Sequence, residues 1–395
     1  MTISTLSFQT NALAQMEALE TALSQTQTQL STGKKLQSAA DNPVAMAQVN
    51  DLNTQLSASQ QQVSNGNAVT SSLQLEQNAL TSATNALQSA RDLAIEGNNS
   101  DLSLTDRQNI ATQLQQLQQT LLSAANSRDS GGNYIFGGTA SGATPFAQSG
   151  ASVSYLGNDQ VNQVQISPDQ SVSMGDAGSS VFMNIPAGNG TFTTAVGAAN
   201  TGNASVDPGS VTSPSAWVPD TYTITFSSAS QYQVTNSGGT VVASGSYTSG
   251  DAISFSGAQV TVSGTPAAGD TFTVAPAGQS SVFSTISSLI ATLNSGTLTN
   301  AQISTQLGGA IQQIDSALDN VNNVQASVGG RLNAVTAAGN SAQTQQTNLT
   351  TSISQLSDVD YAAAVTQLST QELALQAAQE SYASIARLSL FNYLS

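Results

Sequence analysis

The chain contains no cysteine and no histidine among its 395 residues. The first absence removes disulfides, thiolate nucleophiles and thiolate metal sites. The second removes the side chain most often used as a general base and as a metal ligand. Charge is scarce as well: charged residues make up 8% of the chain, against roughly 25% in an ordinary soluble protein. Solubility therefore falls to Gln, Asn, Ser and Thr. Within the small charged set, 7 basic residues face 23 acidic ones, for a net charge of -16. Such a surface repels phosphate backbones, which excludes nucleic acid as a partner. No apolar run reaches the roughly 20 residues of a membrane-spanning helix, so no membrane insertion is expected. The opening Met-Thr-Ile-Ser-Thr-Leu-Ser-Phe has neither the basic start nor the apolar stretch of a cleavable signal peptide. A secreted protein with this start is expected to leave the cell by another route.

What the chain does have is heptads. Met16, Leu19, Leu23 and Leu30 fall at a/d spacing with Thr26 in the missing slot, so the first helix carries one thin apolar seam. Alone, such a helix is marginal. Gly33 is placed to end it, since glycine takes the left-handed conformation without a Cβ penalty. Asp41 or Asn42, followed by Pro43, starts a second helix with a polar cap and a proline where no N–H is needed. Val49, Leu52, Leu56 and Val63, then Leu73, Leu80 and Leu87, continue the pattern, with Ala83 and Ala90 allowing close approach. Asn65-Gly66-Asn67 is expected to bend or loosen this helix, and Glu96-Gly97-Asn98-Asn99-Ser100 to end it. Thr105 with Gln108 reads as a capping box for a third helix bearing Ile110, Leu114, Leu117 and Leu121. Residues 131–139, Gly-Gly-Asn-Tyr-Ile-Phe-Gly-Gly-Thr, read as a loop that plugs the helical core, with a specific binding role as the alternative.

The middle changes character. No Lys or Arg lies between Arg128 and Arg331, and all the prolines except Pro43 fall between Pro145 and Pro276. Period-two alternation replaces the heptads. Val153/Tyr155, Val164/Ile166, Val172/Met174 and Val181/Met183/Ile185 predict short strands. A Gly/Ala/Asn/Ser-rich linker follows over residues 187–213. Tyr222/Ile224/Phe226, Tyr232/Val234, Val241/Val242, Ile253/Phe255, Val260/Val262 and Phe272/Val274 then predict further strands. Beyond them the heptads return: Ile286, Leu289, Ile290 and Leu293, then Leu307, Ile311, Ile314, Leu318 and Val321. Ser357-Asp358-Val359-Asp360-Tyr361 breaks the pattern before an Ala/Gln-rich final helix that ends in Ile385, Leu388, Leu390, Phe391 and Leu394.

The expected fold is therefore α+β and multidomain: a long antiparallel α-helical bundle or coiled coil built from both chain ends, with an inserted all-β, sandwich- or barrel-like region. Residues 1–40 with 350–395 are read as terminal assembly helices, disordered in the monomer. Residues 41–140 with 281–349 are read as the bundle core, and 141–280 as the β insert, in one piece or in two (141–186 and 214–278). The inner seams suffice for the bundle, which leaves the terminal seams unpaired within one chain. Met16, Leu19, Leu23, Leu30, Ile385, Leu388, Leu390, Phe391 and Leu394 are accordingly the candidate assembly interface.

No catalytic, cofactor or metal set emerges. Asp358 and Asp360 read as caps rather than an acid/base pair. The Gly131-Gly132 and Gly137-Gly138 pairs lack the lysine and the strand–helix context of a phosphate cradle. Lys34 and Lys35, the only lysines, read as a solvated turn, and Trp217 as packed beneath the β region. The expectation is a protein that is not an enzyme.

Five motifs carry a family resemblance. Residues 30–43, Leu-Ser-Thr-Gly-Lys-Lys-Leu-Gln-Ser-Ala-Ala-Asp-Asn-Pro, resemble the N-terminal signature of bacterial flagellins and flagellin-like axial proteins. Arg331-Leu332-Asn333 and Ser357 to Val365 resemble C-terminal elements of the same family. Residues 131–139 and the ending from Leu388 to Leu394 are similar to the junction proteins of the group rather than to flagellin itself. The resemblance covers roughly residues 1–140 and 281–395. It implies a secreted, extracellular flagellar subunit at the hook–filament junction. It further implies self-assembly through the terminal helices, contact with hook-associated protein 1 and flagellin, and passage through a flagellar export chaperone and the type III export apparatus. Bulk flagellin is the first alternative, and a secreted adhesin acting through its β region the second.

Overall fold

The computed structural model describes the backbone of residues 5–394; the side chains of residues 5, 6, 8, 9 and 385–394 lie outside the description. Three helices precede the β region: α1 (Thr5–Thr32), α2 (Pro43–Gly97) and α3 (Leu104–Ala125). Three follow it: α4 (Val282–Asn294), α5 (Asn300–Ser357) and α6 (Tyr361–Leu394). The chain divides into two compact units, Met1–Ser64 with Ala338–Ser395 and Asn65–Ala337.

Local chemistry sets the helix starts. Asn42 caps α2, its side-chain oxygen accepting the Ala45 amide at 3.0 Å, with Pro43 in the first helical position. Asp41 instead closes the preceding turn, accepting the amides of Gln37 at 2.9 Å and Ser38 at 2.8 Å. The capping box of α3 is Ser103 with Asp106, not Thr105 with Gln108. Ser103 is the residue left in an extended conformation, and Leu104 already begins the helix. α2 runs unbroken through Asn65-Gly66-Asn67. There the glycine serves packing, since a Cβ on Gly66 would stand 3.4 Å from Val335 of α5.

In the first unit, the start of α2 meets the end of α5: the buried Ser59 hydroxyl donates to the Ala342 carbonyl at 3.1 Å. In the second unit the seams form the core. α2 buries Val69, Leu73, Leu80 and Leu87; α3 buries Ile110, Leu114 and Leu121; α5 buries Leu307, Ile314, Val321, Val328 and Val335. α3 packs against α4, which buries Phe283, Ile286, Leu289 and Leu293. The loop at residues 131–139 is a plug, as expected: Phe136 is fully buried, edge-on to Phe182 with ring centroids 5.2 Å apart. Phe146 meets the same Phe182 ring at 5.6 Å.

The β region starts with two antiparallel hairpins, β1 (Phe146–Ser149) with β2 (Ser152–Tyr155) and β3 (Gln163–Ser167) with β4 (Gln170–Ser173). The strand expected over Val181 and Met183 is a π-helical turn, Ser179–Met183. Val181 and its neighbour Phe182 are both fully buried, which a strand with alternating faces does not allow. β5 (Ile185–Pro186) pairs with β15 (Gln279–Ser280).

The stretch at 187–213, expected as a linker, holds three strands: β6 (Phe192–Val196), β7 (Ser205–Val206) and β8 (Ser210–Val211). Its few apolar residues enter a core and its Asn residues close turns; Asn200, for example, exchanges hydrogen bonds with the Thr271 backbone at 2.8 Å in both directions. Six more strands follow: β9 (Tyr222–Ser228), β10 (Gln231–Thr235), β11 (Val241–Ser246), β12 (Ala252–Phe255), β13 (Ala258–Ser263) and β14 (Thr271–Pro276). One sheet runs β11-β10-β9-β14-β6 and the other β12-β13-β7, with β8 also on β13. Phe192, Tyr222, Ile224, Phe226, Val260, Val262 and Phe272 share a single core between them. The sheets stay open and form no closed barrel. Trp217 lies against this core, 5.3 Å from the Phe192 ring and 5.7 Å from Tyr222.

A charged cluster ties α2 and α5 to the loop after β4. Arg331 pairs with Asp176, donates to the Gly175 carbonyl at 3.1 Å and stands 4.0 Å from Glu76. Glu76 is fully buried and accepts the Asp176 amide at 3.0 Å. Burial, and then the Asp176 carboxylate, push Glu76 from its ordinary 4.5 up to about 8. One guanidinium thus faces one carboxylate and one neutral acid. Because the folded-state value is the higher one, this contribution to stability is complete below pH 4.5 and is lost as pH rises towards about 8. Glu76→Gln should therefore flatten the decline in melting temperature between pH 5 and 8.5 and leave the variant more stable than the parent at the alkaline end, roughly as expected for removing a buried titration. Thermal unfolding followed by circular dichroism across that range checks it, and parallel profiles would refute it.

Candidate assembly interface at the chain ends

The hinge read from residues 30–43 and the break read at residues 357–361 meet in space. α1 ends at Gly33, whose φ is +72° and whose amide donates to the Gln29 carbonyl at 2.9 Å. A short antiparallel bridge then joins Lys34 to Asp358. The Lys35 amide donates to the Ser357 carbonyl at 2.7 Å, and the Val359 amide to the Gly33 carbonyl at 3.0 Å. The Lys34 ammonium lies 2.5 Å from the Asp358 carboxylate and donates to the Ser357 hydroxyl at 3.2 Å. The Lys35 ammonium donates to the Gln355 carbonyl at 2.8 Å, near the C-terminal end of α5, where the helix dipole favours a cation.

The two lysines are thus not a merely solvated turn; they fasten one end of the chain to the other. Sequence reasoning placed both segments and missed their pairing. The separation of more than 300 residues leaves no local signal, and the only hint is that the two lysines are the sole ones in the chain.

The acids divide their work. Asp360 caps α6, accepting the amides of Ala362 at 3.0 Å and Ala363 at 3.1 Å. Asp358 is held down at about 2, first by the Lys34 ammonium and then by the hydroxyls of Ser354 and Ser357. It therefore stays ionised, and the tie to Lys34 persists, until the pH falls through the window from 3.8 to about 2. Nothing in this arrangement offers an acid/base pair with a shared substrate position.

From the joint, α1 and α6 run antiparallel, because one ends where the other begins, and they pack along each other. This corrects the expectation that the terminal seams find no partner within one chain. The joint aligns them. Met16, Leu19, Leu23 and Leu30 are all half-buried, and Thr26, in the gap of the seam, is buried with its hydroxyl on the Ala22 carbonyl at 3.0 Å. On α6 the facing positions are Ala364, Leu368, Gln371, Leu375 and Ala378, a 4-3-4-3 spacing hidden in the sequence by its alanines and glutamines. The side chains of Ile385, Leu388, Leu390, Phe391 and Leu394 lie outside the described residues. The pair leaves apolar surface open, with Leu13 47%, Val365 51% and Leu373 68% exposed. No group of three or more acidic residues placed to hold a metal ion occurs among the described residues, and no helix there is long and apolar enough to cross a membrane.

Comparison with known proteins finds matches in three segments of the chain. A model of the bacterial flagellin N-terminal helical region matches residues 3–141, and one of the C-terminal helical region matches residues 311–394. A third, described as the D2-like domain of flagellar hook-associated protein 1, matches residues 196–276, inside the two-sheet domain. Flagellar hook-associated protein 3 of Salmonella typhimurium is 30% identical over 157 residues, which is 40% of this chain and 49% of that protein. The match thus spans about half the length of that curated relative. Among solved structures, FlgL of Xanthomonas campestris is 35% identical with a TM-score of 0.69, covering 75% of this chain and 99% of that one. The flagellar junction protein FlgL from Legionella pneumophila is 33% identical with a TM-score of 0.71, covering 79% and 100%.

The joint makes a direct prediction. Lys34→Glu should speed hydrogen exchange of the Lys35 and Val359 amides several-fold, and the swap Lys34→Glu with Asp358→Lys should restore most of the protection. An exposed ion pair alone contributes modestly, so an effect confined to these amides, without global unfolding, is the expected pattern.

Proposed function

The chain belongs to the flagellin-like family of bacterial axial proteins, in the group of hook-associated protein 3 (FlgL), and on that premise we propose that it is a structural subunit of the hook–filament junction. The observation that carries the reading is the joint. It brings both ends of the chain into one antiparallel pair whose seam is only half-buried, with Leu13, Val365 and Leu373 left exposed. A single pair of thin seams buries too little apolar surface to offset the entropy of ordering two long helices. Neighbouring copies offer the rest, so that assembly and the final ordering of the ends are coupled. Met16, Leu19, Leu23 and Leu30, together with Ile385, Leu388, Leu390, Phe391 and Leu394, are the residues we assign to that contact.

In this proposal the partners are further copies of the chain, hook-associated protein 1 on one side and flagellin on the other. The chain reaches its extracellular position through an export chaperone and the flagellar export apparatus. Its role is structural rather than catalytic, in keeping with the junction role in the name of the Legionella relative.

Two measurements test it. Limited proteolysis of dilute monomer with subtilisin should cut within residues 1–40 and 350–395 before it cuts the two-sheet domain, with protection appearing on polymerisation. Equal resistance of both ends in demonstrably monomeric protein would refute the coupling. Immunogold electron microscopy with an antibody to residues 192–276 should mark a narrow band where hook meets filament. Label along the whole filament would identify a bulk filament subunit instead.

A further inference from the structure

The five-stranded sheet has two edges, and they are finished differently. Around β6, neutral side chains of α5 take up the main-chain groups. Gln313 accepts the Gly188 amide at 2.9 Å and donates to the Pro186 carbonyl at 3.2 Å. Thr305 accepts the Val206 amide at 3.1 Å, and Gln302 donates to the Ala198 carbonyl at 3.4 Å. The segments flanking β6, and Val206 of β7 in the other sheet, are thus fastened to α5 by the chain itself.

β11 is not. Among the described residues its one strand partner is β10, so a row of main-chain donors and acceptors faces outward. Edge strands are ordinarily guarded by lysine, proline, an inward charge, a bulge or a covering element. β11 reads Val-Val-Ala-Ser-Gly-Ser and carries none of these residues, and Val241 and Val242 are 51% and 38% exposed. It pairs with β10 at Val241 and from Ala243 to Ser246, with a bulge that leaves Val242 without a facing residue.

Charge narrows the occupant. The strand is framed by carboxylates: Asp220, hydrogen-bonded to Ser237 in the turn between β10 and β11, and Asp251, exposed in the turn that follows β11. Between Arg128 and Arg331 there is no cation to offset them. A second copy pairing antiparallel through the same edge would set aspartate against aspartate at both ends. A basic segment would meet opposite charge at both.

We propose that β11 is a docking strand for an extended segment of another protein, one with β-branched or small apolar side chains at alternate positions and Lys or Arg at its flanks. Main-chain hydrogen bonds supply the affinity and the flanking charges the selection. The proposal concerns the β domain alone and holds or fails separately from the junction reading.

The test uses the full-length chain and two synthetic capped peptides, Lys-Thr-Val-Thr-Val-Thr-Lys and the same sequence with Glu for both Lys. At millimolar concentration the basic peptide should slow hydrogen exchange of the amides at 241–246 several-fold, and the acidic one should not. Val242→Lys, a surface change expected to leave the melting temperature unaltered, should abolish the effect. Asp220→Asn with Asp251→Asn should weaken it while sparing the strand. Absence of slowing with the basic peptide, or equal slowing by both, would overturn the proposal. So would protection that grows with protein concentration in the absence of peptide, since a second copy would then be the occupant.

Discussion

Two short backbone pairings, Lys35 to Ser357 and Val359 to Gly33, fix where both ends of this chain begin their final helices. The pairing of α1 with α6 in the first unit depends on them. With the joint closed, the direction and register of α1 against α6 follow, and the thin seams align without needing to be strong. The joint itself is built from residues that stop helices: a left-handed glycine on one side, an aspartate cap on the other. Chain termination signals have become the point of attachment, which is economical in a protein whose terminal helices have little apolar surface with which to find each other.

The scarcity of charge gives each ion a location. Lys34 and Lys35 hold the joint, Arg91 ties α2 to α5 through Asp315 at 2.5 Å, Arg331 holds the loop after β4 to both long helices, and Arg128 lies over the Tyr134 ring at 4.2 Å. Four of the seven basic residues thus mark a place where two segments distant in sequence are joined, and Arg128 braces a ring six residues away. In an ordinary surface most charges are solvated and contribute little. Here they act as positional ties, and the solubilising work is left to amides and hydroxyls.

The long helices were legible in the sequence because a heptad repeats its evidence many times over: Leu73, Leu80 and Leu87 each confirm the last. The strands from Tyr222 to Val274 were legible for the same reason at period two. What escaped were features stated only once. The Ser103–Asp106 cap competes with a neighbouring Thr–Gln pair that satisfies the same pattern. The strands at 192–211 are two to five residues long and sit among glycines and asparagines. Val181 and Met183 alternate as a strand does, while the intervening Phe182 is the residue that enters the aromatic cluster. The lysine–aspartate joint and the buried Glu76 site are pairings across hundreds of residues, or across three separate elements, and a single sequence carries no record of which partner each residue has chosen.

The attachment of the β domain to α5 rests on glutamine amides and a threonine hydroxyl rather than on ion pairs. Electrolyte screening, with a Debye length of about 10 Å at 0.1 M, weakens charge–charge attraction but leaves neutral hydrogen bonds almost untouched. The contact of this domain with its supporting helix should therefore be indifferent to salinity. An appendage built on it would keep the same mechanical footing in fresh water, in body fluids and in brine.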